Sequence, residues 1–110
     1  MQVSTRRKNG AAVVDVMGDV DLYNSPEVRK AVMEAVRAEG VQRVVMNLKG
    51  VRYIDSSGVG SLVEGLKTSR GLGVKFVLYG LSSAAREVLE LSRLIQVFEV
   101  AESEEQALRL

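Results

Sequence analysis

The side chains able to carry chemistry in this 110-residue sequence are hydroxyls, carboxylates and amides, because it contains neither histidine nor cysteine. Those two absences exclude disulfides, thiol nucleophiles, thiolate or imidazole zinc sites and the Ser-His-Asp triad. Three short segments combine such side chains with glycine, at residues 18–21, 55–58 and 80–83. Each segment follows a predicted strand, so the arrangement of the strands decides whether the three segments meet.

Ser56 is the hydroxyl with the most informative setting, and its residues alone allow two interpretations. It stands at the predicted N-cap of a helix, where serine is favoured because its oxygen accepts a backbone N–H. In the structural interpretation Ser56 is only a cap, and Gly58 and Gly60 ease close packing. In the functional interpretation Ser56 is phosphorylated, since a helix N-terminus offers free N–H groups and a positive dipole end.

Small residues recur along the same predicted helix. At 100° per residue they lie opposite the apolar stripe of the helix. They are Ser57, Ser61, Gly65 and Thr68. A solvent-facing helix surface normally favours Lys, Glu and Arg, and a glycine such as Gly65 costs about 1 kcal/mol relative to alanine. The pattern therefore predicts an exposed ridge of small residues that a partner protein can approach closely.

Three motifs of enzymes and nucleotide-binding proteins are incomplete. A dinucleotide fingerprint begins at Gly58 but has Val63 in place of its third glycine, and Leu66 interrupts a P-loop spacing. A nucleophile elbow at Ser56 would need glycine where Ile54 stands. Acidic residues in such loops are more often caps or partner contacts than magnesium ligands. We expect no enzyme, no metal site and no cofactor of the chain's own.

The predicted elements alternate between strands and helices in the order β-β-α-β-α-β-α-α. Strands at 2–8 and 11–17 are joined by Asn9-Gly10, which is typical of a type I′ hairpin turn. The next helix begins either with Ser25 as cap or with Asn24 as cap and Glu27 closing a capping box. Further strands are predicted at 43–48 and 74–79, with a short extended piece at 97–98.

This order predicts an α/β fold, with a mixed sheet of four to five strands, about four helices and an antiparallel N-terminal hairpin. Residues 1–110 are expected to form a single domain. If the second, third and fourth strands run parallel, their carboxyl ends share one edge of the sheet. Open α/β sheets usually bind their ligands at that edge, so the three polar segments are expected to meet there.

The composition is that of a soluble globular domain, with 46% hydrophobic and 26% charged residues. Fifteen Lys and Arg against fourteen Asp and Glu give a net charge of +1, so no strong field draws the chain to nucleic acid or an anionic membrane. No signal peptide or spanning segment is predicted, and the lack of cysteine is consistent with the cytoplasm. The polar surface predicts a monomer when the chain is free.

The chain resembles the STAS family of bacterial anti-sigma-factor antagonists over nearly its whole length, including the order of elements. The likeness is carried by Gly18-Asp19-Val20-Asp21, Tyr23-Asn24-Ser25 and Tyr53-Ile54-Asp55-Ser56-Ser57-Gly58-Val59-Gly60. The Asp-Ser-Ser-Gly-aliphatic-Gly run is its most specific part. The family usually has glutamate where this chain has Asp19, so Asp21 is the better match for a partner-contacting acid.

In that family the serine directly after the aspartate is phosphorylated by a partner that is both a serine kinase and an anti-sigma factor. A phosphatase removes the phosphate, and the unmodified antagonist binds the anti-sigma factor and frees a sigma factor. The resemblance implies that Ser56 is the acceptor here. The residues implied or predicted to contact the partner are Asp21, Asn24, Asp55, Ser57, Gly58, Ser61 and Gly65.

Two alternatives remain open at this point. The same fold serves as a scaffold or accessory subunit in other bacterial assemblies, including sensory complexes and lipid-transport machines. A nucleotide-binding module that uses the helix N-terminus as its phosphate site is the other alternative. The incomplete glycine loops disfavour the second of these.

Overall fold

The five strands lie side by side in chain order in the computed structural model, which describes residues 1–110. They are β1 (Gln2–Lys8), β2 (Ala11–Met17), β3 (Arg43–Gly50), β4 (Lys75–Tyr79) and β5 (Glu99–Ala101). β1 is antiparallel to β2, and every other neighbouring pair is parallel. The predicted mixed sheet with an N-terminal antiparallel hairpin is therefore confirmed.

Four helices connect or follow the parallel strands, as predicted. They are α1 (Ser25–Arg37), α2 (Ser56–Leu72), α3 (Ser83–Leu91) and α4 (Glu104–Arg109). Gly73 is the C-cap of α2 and has a left-handed φ of 70°, and Ser82 is the N-cap of α3, where its side chain accepts the Ala85 N–H at 3.0 Å. None of the four helices has the length and apolar content needed to span a membrane.

Two local predictions were wrong. In the hairpin turn only Asn9 has a positive φ, at 55°, whereas a type I′ turn requires it at both positions. The last strand begins at Glu99 instead of Val97, because Val97 lies in a turn in which its N–H donates to the Leu94 carbonyl at 3.0 Å. Phe98 follows this turn and is buried beside Phe76, with 6.4 Å between ring centroids.

The sheet has an apolar cluster on each face, as alternation along β2 shows. Val14 and Val16 belong to the large cluster beneath α1, α2 and α3, whereas Val13 points to a smaller cluster beneath α4. Each of these valines is at most 1% exposed. Because successive side chains of a strand point to opposite faces, β2 must be apolar throughout its buried length.

The predicted ridge of small residues on α2 is not exposed, so that prediction was wrong. Ser61 and Gly65 are buried, and Ser57 and Thr68 are half-buried. Ser61 donates its hydroxyl to the Ser25 carbonyl of α1 at 3.3 Å. A Cβ on Gly65 would overlap Val32 of α1 and lie 3.0 Å from the Phe76 ring. The small residues let α1 and α2 approach closely, which is a second physical reason for small residues along a helix.

Gly65→Ala is expected to destabilise the protein by about 1–3 kcal/mol, because the new methyl group overpacks the contact with Val32. Gly60→Ala is the matched control, since a Cβ there meets no atom within 4 Å. That control should gain about 0.5–1 kcal/mol from helix propensity alone. Urea unfolding measures both changes, and a Gly65→Ala protein as stable as the control would contradict the packing account.

An ion-pair network crosses the face of the sheet that α4 covers. Arg6 of β1 binds Asp15 of β2 at 2.6 Å and Glu104 of α4 at 2.6 Å, and Lys8 also binds Glu104 at 2.6 Å. The Tyr79 hydroxyl donates to Glu104 at 3.0 Å. Asn47 donates to Asp15 at 2.7 Å. The network ties β1 to β4 and fastens the first residue of α4 to the sheet.

The ionisation of the network follows from these contacts. Hydrogen bonds from Arg6 and Lys8 lower the pKa of Glu104 to about 2, and the Arg6 hydrogen bond lowers the pKa of Asp15. Burial, together with the hydrogen bond to Glu104, raises the pKa of Tyr79 to about 12. The carboxylates therefore stay charged, and the tyrosine neutral, across the physiological range.

Glu104→Gln is expected to lower the free energy of unfolding near neutral pH by about 1–3 kcal/mol, because a charged acceptor is lost. Folding lowers the pKa of Glu104 from 4.5 to about 2, so the stabilisation it gives is lost as the pH falls through that window. The wild type and the variant should therefore converge in stability as the pH approaches 2. Urea unfolding at a series of pH values measures the difference.

The control for that prediction is Glu105→Gln. Its side chain is 80% exposed and pairs only with Arg109, four residues along the helix. Such surface pairs contribute about 0.3–0.5 kcal/mol, so this variant should remain close to the wild type at every pH. Equal losses in the two variants would show that the network adds nothing specific.

Candidate functional site

The three polar segments meet at the carboxyl edge of the sheet, as predicted from the parallel strands. Val20 donates its N–H to the Tyr53 carbonyl at 3.0 Å and accepts the Asp55 N–H at 3.0 Å, which forms a parallel bridge between Val20 and Ile54. The Ser82 hydroxyl donates to the Arg52 carbonyl at 2.9 Å. The first and third segments are therefore both hydrogen-bonded to the stretch that leads into α2.

Asp55, and not Ser56, is the N-cap of α2, so the predicted cap was wrong by one residue. The Asp55 carboxylate accepts the N–H groups of Ser57 at 2.9 Å and of Gly58 at 3.2 Å. Ser56 is the first residue of the helix. Its side chain is therefore not needed to cap the helix, which removes the structural interpretation of this serine.

Exposure separates Ser56 from its neighbours. Asp55 and Ser57 are half-buried and Gly58 is buried, whereas Ser56 is exposed. A Cβ on Gly58 would lie 2.7 Å from Val20 and 2.5 Å from Ile54, so the start of α2 rests directly on the bridge described above. This seating turns Ser56 outwards, where a second protein can reach its hydroxyl.

The β2–α1 connection is a compact turn organised by Asp21 and Asn24. Asp21 accepts the N–H groups of Tyr23 at 2.9 Å and of Asn24 at 3.1 Å. Asn24 accepts the Asp21 N–H at 2.8 Å and donates to the Asp19 carbonyl at 2.9 Å. Asn24 precedes α1 but makes no side-chain cap, so neither predicted capping arrangement forms.

Large apolar side chains on this edge were missed by the sequence analysis. Leu22 is 65% exposed, Tyr23 is 91% exposed and Tyr53 is 48% exposed. We name these three side chains the apolar rim. An available signal was the Leu22-Tyr23 pair in a loop whose other residues are polar, since apolar residues in a loop have no core to join.

Grooves run along both sides of the first turns of α2. One has a volume of about 300 Å³ and is lined by Ser56, Val59 and Val63 of α2 and by Val88 and Leu94 from the α3 side. The other, of about 280 Å³, lies towards α1 and is lined mainly by polar and charged residues, among them Ser57, Arg29 and Glu64. Ser56 therefore borders an apolar groove on one side only.

The acidic residues of the edge contact backbone groups or a neighbouring side chain of the chain itself. The structure contains no group of three or more carboxylates placed to hold a metal ion. Asp21 and Asp55 direct their oxygens to backbone N–H groups, and Asp19 lies 3.8 Å from Arg52. These carboxylates act on the chain itself as caps and turn formers.

Residues 2–107 match the family model described as the STAS domain, which is nearly the whole chain. The chain belongs to the STAS domain family. Within this STAS domain, the bridge at Val20, the cap at Asp55 and the exposed Ser56 occupy the edge where the parallel strands end.

Curated relatives of this STAS domain carry the names of regulatory antagonists. It is 24% identical over 108 residues to an anti-sigma F factor antagonist of Paenibacillus polymyxa, covering 98% of this chain and 92% of the relative. It is 28% identical over 105 residues to an anti-sigma-B factor antagonist of Staphylococcus aureus, covering 96% of each chain.

Solved structures share the fold. The anti-sigma factor antagonist SpoIIAA in its unphosphorylated form aligns with a TM-score of 0.81 at 21% identity, covering 97% of this chain and 93% of SpoIIAA. The phosphorylated form of SpoIIAA, from Bacillus, aligns with a TM-score of 0.74 at 21% identity, covering 98% and 97%. At this identity the likeness establishes the shared fold.

Asp55→Ala is expected to destabilise the STAS domain by about 0.5–2 kcal/mol, because two N–H groups at the start of α2 lose their acceptor. Asp55→Asn is the matched variant, since its amide oxygen can still accept them, and it should cost less. Urea unfolding gives both values. If Asp55→Ala and Asp55→Asn both had the free energy of unfolding of the wild type, the cap would contribute nothing to the start of α2.

Proposed function

We propose that this chain is an anti-sigma factor antagonist whose activity is switched by phosphorylation of Ser56. The unphosphorylated form binds an anti-sigma factor that is also a serine kinase, and thereby releases a sigma factor. Support comes from membership of the STAS family and from relatives named as antagonists that match over 92–96% of their own length. The proposal assigns the chain no catalytic step of its own.

The observation that carries this proposal is the exposure of Ser56 beside a helix cap that is already complete. Asp55 occupies the N–H groups of Ser57 and Gly58, so Ser56 is free of any capping duty. The active site of a kinase can therefore reach the Ser56 hydroxyl without unwinding α2. Ser57 is half-buried and is the less accessible hydroxyl of the pair.

A phosphate on Ser56 should leave the fold of the free domain intact. It adds a charge of about −1.5 to −2 next to Asp55. Repulsion between two unit charges about 4 Å apart is about 1–4 kcal/mol at effective dielectric constants of 80 to 20. The positive end of the α2 dipole offsets about 0.3–2 kcal/mol of this. At an exposed position these opposing contributions are comparable, so no remodelling of the domain is required.

Within a complex the same phosphate has a much larger effect. A charge buried at an interface without a partner costs about 3–5 kcal/mol. Every 1.4 kcal/mol is about a tenfold change in affinity, so phosphorylation should weaken binding by about a hundredfold to several thousandfold. The switch therefore acts by excluding the partner at one point of the surface.

Other residues of the edge have supporting roles in this proposal. Asp21 and Asn24 hold the β2–α1 turn in place, and Asp55 holds the start of α2. ATP and magnesium are supplied by the kinase, and a serine phosphatase resets the switch. We place the antagonist in the cytoplasm, since its proposed partners act on transcription. The free antagonist is proposed to be a monomer.

Ser56→Ala is expected to bind the anti-sigma factor as tightly as the wild type and to resist phosphorylation. Ser56→Asp should bind at least tenfold more weakly while its melting temperature stays within about 3 °C, because the added charge acts at the interface alone. Calorimetric titration of each variant with purified anti-sigma factors from the same genome measures affinity.

Mass spectrometry after incubation with these kinases and ATP should place the phosphate on Ser56. Ser57→Ala is the matched control and should still be modified. Equal affinities of Ser56→Ala and Ser56→Asp would reject exclusion as the mechanism. A phosphate found on Ser57 in the wild type would reject the assigned acceptor.

A further inference from the structure

We propose that the apolar rim of Leu22, Tyr23 and Tyr53 is the anchor by which the unphosphorylated chain holds the anti-sigma factor. This inference rests on the proposed function and assigns the attractive part of the same interface. Phosphorylation of Ser56 then controls whether the complex forms, and the rim provides most of its affinity.

The exposure of the rim is the first support. Tyr23 is 91% exposed and Leu22 is 65% exposed, although the chain contains only three tyrosines and two phenylalanines. Two of the three tyrosines lie on this single edge, and the third belongs to the ion-pair network. Large exposed apolar side chains grouped in one place mark interaction sites, and tyrosine is enriched among the residues that dominate binding energy.

The rigidity of the loop is the second support. Backbone N–H groups of Tyr23 and Asn24 are held by the Asp21 carboxylate, and the Ser25 N–H donates to the Asp21 carbonyl at 2.8 Å. A loop fixed in this way loses little conformational freedom on binding, which favours affinity. Asp21 and Asn24 are therefore positioning residues, because their polar atoms are engaged in the turn that presents Leu22 and Tyr23.

The continuity of the rim with Ser56 is the third support. The bridge between Val20 and Ile54 fastens the loop that carries Leu22 and Tyr23 to the stretch that carries Tyr53 and Ser56. A protein that grips the Ser56 hydroxyl is therefore brought onto the rim. Under the proposed function the protein that receives Ser56 is the anti-sigma factor, so the rim is assigned to that same partner, with an apolar pocket as the matching surface.

The test measures affinity in a Ser56→Ala background, so that phosphorylation cannot contribute. Each of Tyr23→Ala and Leu22→Ala in that background is expected to weaken binding to the anti-sigma factor at least tenfold. Tyr23→Phe should stay within about threefold, since the ring carries the contact. Calorimetric titration with the purified anti-sigma factors of the same genome gives the dissociation constants, and melting temperatures should stay within about 2 °C of the parent.

Leu72→Ala is the matched control, because Leu72 is also exposed, at 55%, but lies at the opposite end of α2. At 1.5 Å per residue it is about 24 Å from Ser56 along the helix, so its removal should not alter affinity. Tight binding by the parent with unchanged affinity in Tyr23→Ala and Leu22→Ala would overturn the anchor alone.

Two further outcomes would also overturn the inference. If the Ser56→Ala parent binds none of the anti-sigma factors, the proposed function fails and the anchor fails with it. If sedimentation shows that the wild type is a dimer and that Tyr23→Ala is a monomer, the rim is occupied by a second copy of this chain instead.

Discussion

The backbone bridge between Val20 and Ile54 is the contact on which the candidate site depends. It continues the parallel pairing of β2 and β3 beyond the ends of those strands. The loop before α1 and the loop before α2 are therefore held side by side. The start of α2 then sits on the bridge through Gly58, where any side chain would collide with Val20 and Ile54. The Val20–Ile54 bridge and the close packing of Gly58 on it therefore set the orientation of Ser56.

The sequence was sufficient for features that follow from local patterns. Alternation of apolar runs and helix signals predicted the order of elements, and parallel pairing then predicted that the three polar segments meet. Local patterns did not determine which residue is the N-cap of α2, because Asp55 and Ser56 are adjacent and are both good N-cap residues. The choice between them depends on how α2 packs on Val20 and Ile54, which no local pattern contains.

The ridge on α2 failed for a related reason. Small residues such as Ser61 and Gly65 have the same spacing whether a helix neighbour or a partner protein covers them, and only the packing of α1 distinguishes the two cases. The network around Glu104 was missed because its members are up to 98 residues apart in the chain. Long-range ion pairs have no signature in residue spacing, so this partly buried network could be found only from the coordinates.

The complete cap at Asp55 has a consequence for reversibility. Because the amides of Ser57 and Gly58 are already taken, the phosphate ester proposed on the Ser56 oxygen would find those two donors occupied. The phosphate would be exposed to solvent, so a phosphatase could reach it as readily as a kinase reaches the Ser56 hydroxyl. The lifetime of the modified state would then be set by the relative amounts of the opposing enzymes, and not by the domain that carries the mark.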